Sequence, residues 1–234
     1  MSTSSTTATV VARGLTAGYG STPAVHGLDL DVAEGEIAVL LGANGAGKTT
    51  TLLSVAGELR PMQGSVDVLT CSRSARLDRR ARSGLGFLTE GRCVFMELTG
   101  WENLKVGRGR PTRALEFFPE LEPHLGKRAG LLSGGQQQML ALGRILAGEP
   151  RLILADELSL GLAPLVVKRL LEALRSAADR GAAVVLVEQH IRQALAIADK
   201  GYVLRRGRIV LSGSAAELAV DADAIARQYL TGEA

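Results

Sequence analysis

The 234-residue sequence is short of cysteine, of long apolar runs and of net charge, and each shortage excludes something. Two cysteines, Cys71 and Cys93, cannot form a disulfide framework. The core must then come from burial alone, and the thiols are expected to stay reduced, as in a cytosolic protein. No stretch approaches the roughly 18 consecutive apolar residues needed to cross a bilayer, so any membrane role is peripheral. A net charge of +3, from 27 basic and 24 acidic side chains, is too slight to mark a nucleic-acid binder. The opening MSTSSTTAT lacks the basic start and apolar stretch of a signal peptide, and reads as a short tail over 1–9. Internal repeats and heptad runs are absent too.

What remains is a chain with 46% hydrophobic residues, enough for one large domain over 10–234. VVARGL and HGLDLDV alternate with period two, as strands with one wet face. IAVLL (37–41), RLILA (151–155) and AAVVLV (182–187) are continuously apolar and predict buried strands, with SVDVL and GLGFL as shorter ones. TTTLLSVAGEL predicts a helix, and SGGQQQMLALGRILAGEP another that starts near Ser133 and stops at Gly-Glu-Pro. From Trp101 to about Lys127 a helical pattern is broken by Pro111, Pro119 and Pro123, which predicts a helical insertion, about 97–148 in all. Val166, Leu170, Leu171 and Leu174 form one stripe expected to face the core. YVLRRGRIVLS predicts a hairpin turning at Arg206-Gly207. The arginines between Arg73 and Arg92 read as a solvated face, with contact to an acidic partner or lipid headgroup as the other reading. Strand–helix alternation predicts an α/β fold with a largely parallel sheet.

GANGAGKT (42–49) fits G-x-x-x-x-G-K-[ST], and it follows a buried strand and opens a helix. Glycines let the backbone turn tightly, so that N–H groups converge on phosphate oxygens, and the helix dipole adds to the attraction. Gly42, Asn44, Gly45 and Gly47 would shape this cradle, with Thr50 at its helical side. Lys48 is expected to reach the β- and γ-phosphates, and Thr49 to ligate Mg²⁺. LILADE ends a second buried strand in Asp156 and Glu157, at the carboxyl edge where α/β folds bind ligands. Asp156 is expected to hold Mg²⁺ through water, and Glu157 to polarise an attacking water. LSGGQ (132–136) opens a further helix with a second anion-binding start, more than one nucleotide needs in a single subunit.

Cradle and LSGGQ together resemble the signature of ABC-type ATPases, and the likeness runs from about Val10 to Leu230. It implies an α/β P-loop NTPase of ABC type: a mostly parallel core sheet, an N-terminal antiparallel β subdomain and a helical insertion. It implies ATP and Mg²⁺ as ligands, and a dimer in which Ser133, Gly134, Gly135 and Gln136 of one subunit close on the nucleotide of the other. Tyr19 stands where the family stacks an aromatic ring on adenine. Glu90 stands in the loop that usually carries a glutamine sensing Mg²⁺ and the membrane subunit. The match narrows through EGRCVF, EFFPEL, DELSLGLAP and LVEQH. These are similar to the smaller ATPase subunit of branched-chain amino-acid importers, whose close relatives serve urea and short amides. Two departures stand out. Leu158 replaces a proline that would restrict Glu157 to extended geometry, and Ala163 replaces the usual loop aspartate.

In that family a switch histidine precedes an aspartate by ten positions, and counting back from Asp199 gives Gln189. His190, one residue on, is the alternative; helix capping by both is a third reading. The resemblance implies an ATP-hydrolysing importer subunit on the cytoplasmic face of the membrane. Its partners would be a second, different ATPase subunit (or a second copy), separate permease subunits and an extracytoplasmic substrate-binding protein. A catalytically weak ATP-binding subunit is a further alternative, motivated by Leu158, Ala163 and Gln189. A DNA-repair ATPase would need a coiled coil between cradle and LSGGQ, and a translation factor a second cassette; neither is present.

Overall fold

Alternating apolar residues build the first sheet. β1 (Ala8–Tyr19) and β2 (Thr22–Ala33) pair antiparallel around a tight turn; β3 (Ile37–Leu41), α1 (Lys48–Ala56) and β4 (Gln63–Val68) follow, and β4 pairs with the other side of β1. Val10, Ala12, Leu15 and Ala17 of β1 and Leu28, Leu30 and Val32 of β2 all point inward and are buried. The computed structural model describes residues 8–91 and 93–230. The first seven residues of the expected tail thus lie outside the described residues. Ala8 and Thr9 belong to β1, because backbone pairing with β2 and β4 holds a polar start that composition alone assigns to a tail.

The rest of the chain adds α2 (Leu77–Arg82), β5 (Leu85–Leu88), α3 (Gly100–Val106), α4 (Ala114–Phe117), α5 (Gly134–Leu146), β6 (Leu152–Asp156), α6 (Pro164–Asp179), β7 (Ala183–Glu188), α7 (Ile191–Leu195), β8 (Lys200–Arg205), β9 (Arg208–Ser214), α8 (Ala215–Val220) and α9 (Ala222–Ile225). β3 has no residue for a solvent face, and it lies inside a six-stranded sheet of order β5-β6-β7-β3-β8-β9. All pairs in that sheet are parallel except β8–β9, the predicted hairpin at Arg206-Gly207. Parallel strands buried on both faces need continuous apolar runs, which is what IAVLL, LILAD and AVVLVE supply.

The helical insertion forms as α3, α4, α5 and short 3₁₀ turns at Pro111–Arg113 and Pro119–His124, each starting at a proline. Its anchor is Phe118, fully buried beside Ala114 and against Gly143, where a Cβ would sit 3.3 Å from the ring. Asn103, also fully buried, accepts from the Phe95 N–H and donates to the carbonyls of Phe95, Leu98 and Thr99, which fixes the loop leading into α3.

The arginine-rich stretch is not wholly solvated. Arg80 is 2% exposed and donates to the carbonyls of Ser54, Val55 and Arg73. The last carbonyls of α1 lack helical partners and carry the negative end of its dipole, so a cation there is favoured. Burial holds the Arg80 pKa below its ordinary value.

Ala163 occupies the N-cap of α6 with extended dihedrals, Pro164 follows it, and no side chain caps the helix. An aspartate there would offer a side-chain acceptor to the first-turn amides: Pro164 has none and that of Val166 donates to the Ala163 carbonyl, which leaves Leu165. Ala163→Asp is therefore expected to stabilise the fold by about 1 kcal/mol, read as a higher urea midpoint at unchanged slope; an unchanged midpoint would show that these amides are already satisfied.

Candidate functional site

Parallel register brings three strand ends to one edge. Leu41 of β3 lies opposite Glu188 of β7, and Asp156 of β6 opposite Val187. The loop from Gly42, the Asp156–Glu157 turn and Gln189 must therefore emerge side by side, with Glu90 close by on the loop after β5.

The loop needs its glycines. A Cβ on Gly42 would lie 2.6 Å from the Leu204 carbonyl, and Gly47 has a φ of 104° with Ala24 backbone 2.9 Å from any Cβ. Gly47 caps α1 without any side chain, and Thr51 supplies the first helical amide bond, to the Gly47 carbonyl. The earlier amides of the turn stay open to an anion. Asn44, Gly45, Gly47, Lys48, Thr49 and Thr50 line one cavity of about 380 Å³ together with Glu90 and Glu157. Gly42 lies beneath it, buried.

Lys48 is 5% exposed; its Nζ donates to the Gly42 carbonyl at 2.8 Å and the Ala43 carbonyl at 3.1 Å, and stands 3.9 Å from Glu157 Oε1. Burial pulls its pKa down, against the raising influence of Glu157, Asp156 and Glu188. Asp156 is 4% exposed, and its Oδ1 has no hydrogen-bond partner. Burial pushes its pKa up; a hydrogen bond with Thr49 opposes this, and Glu157 and Glu90 add to the rise. An orphaned carboxylate oxygen beside a threonine hydroxyl and an open anion cradle suits Mg²⁺, which keeps waters and takes phosphate oxygens as ligands. Among the described residues no cluster of three or more His, Cys, Asp or Glu would hold a metal by protein ligands alone.

Glu157 has a φ of 49°, in the left-handed region, and its N–H donates to the Val187 carbonyl. Leu158, which is buried, leaves that region open, whereas a proline would push Glu157 toward extended backbone. Glu157 Oε1 accepts from Gln189 Nε2 at 2.9 Å, and the same nitrogen donates to Asn44 Oδ1 at 3.0 Å. Gln189 is thus the residue brought over the cradle. His190 is not: it is exposed, sits at the N-cap of α7 and makes no side-chain cap bond.

Ser133 to Gln136 do not line this cavity. Ser133 caps α5, accepting from the Gln136 N–H, and the Gln136 side chain accepts from the Ser133 N–H. That capping box gives Gln136 a local structural duty within this subunit. Gly135 packs on Val166 of α6, 2.9 Å from a notional Cβ, and Gly134 forms the first turn of α5. Tyr19, the last residue of β1, is 58% exposed on the hairpin whose Ala24 borders the cradle.

Sequence reasoning passed over three residues. Arg144 of α5 donates to the Cys93 carbonyl and lies 5.5 Å from the Phe95 ring, joining the LSGGQ helix to the loop that carries Glu90. Ser159 and Glu188 are buried and bonded to each other at the back of the site. A carboxylate closing an otherwise apolar strand is the unused sequence signal of Glu188.

Lys48→Ala is expected to weaken ATP binding about 100-fold, since a charge-assisted contact contributes up to about 3 kcal/mol. Calorimetric titration measures this, and an unchanged affinity would mean that the cradle does not grip the nucleotide.

Comparison with known proteins agrees with this geometry. Residues 25–159 match the family model described as ABC transporter. The chain is 40% identical over 213 residues to the high-affinity branched-chain amino acid transport ATP-binding protein BraG of Pseudomonas aeruginosa, covering 86% of this chain and 90% of that one. It is 33% identical to the lipopolysaccharide export system ATP-binding protein LptB of Escherichia coli strain K12, covering 95% and 97%. Among solved structures it resembles a dimeric ATP-binding cassette in a post-hydrolysis state bound to ADP and phosphate, with a TM-score of 0.76 and 25% identity over 88% of this chain and 98% of that one.

Proposed function

As a member of the ABC transporter ATP-binding family the chain hydrolyses ATP, and we propose that it powers uptake of branched-chain amino acids through separate permease subunits. The observation that carries this reading is the 40% identity to BraG across 86% of the chain. The relatives of this family dimerise and work with permease subunits. Among the described residues no helix is long and apolar enough to cross a membrane. We place the chain at the cytoplasmic face of the cell membrane. There the half-exposed Phe95 and Met96, beside the loop of Glu90, form the surface offered to the permease. An extracytoplasmic binding protein would deliver the cargo.

In this reading the open amides after Gly42 and the Lys48 ammonium hold the β- and γ-phosphates, and Tyr19 stacks on the adenine. Thr49, Asp156 and Glu90 would hold Mg²⁺, which supplies positive charge against the phosphate oxygens. Glu157 takes the proton of the attacking water, a role typically worth about 10²–10⁴ in rate. Gln189 can donate to the γ-phosphate but cannot accept the proton, so its bond to Glu157 Oε1 orients the base and leaves the chemistry to it. The amides of Gly134 and Gly135 at the start of α5, with Ser133 beside them, face the nucleotide of a second subunit in this reading, a different chain or a second copy.

Glu157→Gln is expected to lower phosphate release by about 10²–10⁴ while the closed, ATP-bound dimer accumulates on size-exclusion chromatography. Undiminished phosphate release would remove Glu157 from this role.

The likeness to LptB favours a second reading, an export ATPase; urea or a short amide in place of the branched-chain amino acid is the other cargo to test. Uptake of radiolabelled leucine and urea by a strain lacking only this chain separates them. Loss of leucine uptake, restored by the intact chain but not by Glu157→Gln, is the expected result. Loss of urea uptake alone would move the cargo, and no loss of either would favour export.

A further inference from the structure

We propose that Glu188 is a positioning residue: a buried clasp that locks the turn carrying Glu157 to the turn carrying Gln189, so that the two side chains meet the phosphate as one unit. The proposal rests on the roles given above to Glu157 and Gln189.

Glu188 closes β7 after five apolar residues and is 2% exposed. A carboxylate in such a place is costly unless its oxygens are bonded. Oε1 accepts from the Ser159 N–H at 3.0 Å; Oε2 accepts from the Ser159 hydroxyl at 2.6 Å and from the Gln189 N–H at 3.2 Å. Ser159 is itself 7% exposed. Glu188 thus joins two loops through dipoles, with Lys48 and His190 as the charged groups that act on it. Burial raises its pKa, and the bonds from Ser159 and Gln189 work against that rise.

The clasp stands where the sheet ends. The β6–β7 ladder pairs Asp156 with Val187, and the Glu157 N–H to the Val187 carbonyl is its last bond. Beyond it Glu157 sits at a left-handed φ of 49°, a conformation that persists only when neighbours impose it. Leu158 imposes nothing on the backbone, so the restraint falls on Ser159. From Ser159 the contacts run through Glu188 to Gln189, whose side chain returns to Glu157 Oε1 at 2.9 Å and to Asn44 Oδ1 at 3.0 Å. They close a ring through Glu157, Ser159, Glu188 and Gln189, with no member of the phosphate cradle in its back half. A break in that half should therefore misplace the base and spare nucleotide binding.

Steady-state hydrolysis by the full chain tests this with four variants. Glu188→Gln presents an amide N–H₂ where a hydroxyl or an N–H now donates, Ser159→Ala removes the hydroxyl, Ser159→Thr keeps it, and Glu157→Gln is the reference. Loss of a bond to a charged group predicts that kcat falls about ten-fold in Glu188→Gln and Ser159→Ala, with KM and nucleotide affinity held, and that Ser159→Thr stays near the parent. Parental kcat in Glu188→Gln and Ser159→Ala beside a defective Glu157→Gln would overturn the clasp and leave the role of Glu157 standing. A risen KM at parental kcat would overturn it too, by placing Glu188 in nucleotide binding. An active Glu157→Gln would overturn the reading beneath it and the clasp with it. If Glu188→Gln does not fold, the Ser159 pair decides: equal kcat for alanine and threonine overturns the clasp.

Discussion

Everything at the candidate site depends on parallel pairing of three apolar strands. β3, β6 and β7 run the same way and in matched register, so Leu41, Asp156 and Glu188 end within one strip of the sheet edge. Parallel pairing demands that both faces be covered, and the covering helices include α1, whose amino end carries no side-chain cap, and α5, whose start is closed by the Ser133–Gln136 capping box. The same constraint that buries the core therefore aims the backbone of Gly42–Lys48 at the carboxylates of Asp156 and Glu157.

That proximity creates an electrostatic problem with one cation at its centre. Asp156, Glu157 and Glu188 all raise the pKa of Lys48, while burial lowers it. Asp156 in turn has an unpartnered oxygen, and burial holds it above the ordinary carboxylate range. A site with buried acids, a single ammonium and an orphaned oxygen is poised for a ligand that brings both anionic oxygens and a divalent cation. Glu188 escapes the need for a cation because two N–H groups and a hydroxyl meet its oxygens directly.

Much of this was legible from local pattern. Continuous runs such as IAVLL and LILAD announced buried strands, and the glycines and lysine of GANGAGKT announced the cradle, because those features reflect backbone chemistry that acts over a few residues. The prolines at 111 and 119 marked where the helical insertion breaks. Three matters were not legible. Arg80 reads as one more solvated arginine, and only the packing of α2 against the end of α1 buries it. The LSGGQ pattern carries no sign of the capping duty of Gln136, which only the α5 start reveals. Arg144 reads as a polar position on an amphipathic helix, and only the fold brings Cys93 and Phe95 to it.

The sequence by itself determined which residues are candidates for chemistry: the glycine-rich loop after β3, the acids at the end of β6 and the polar pair after β7. The choice within that list was tertiary. Gln189 and His190 are neighbours with similar polarity; the spacing to Asp199 in the resembled family favours Gln189, but that spacing says nothing of where either side chain points. In the fold β7 pairs through Glu188, and just past it Gln189 bonds to Asn44 and Glu157 while His190 opens α7. Pairing between strands distant in sequence sets where β7 stops, and where it stops decides which of the two side chains reaches Asn44 and Glu157.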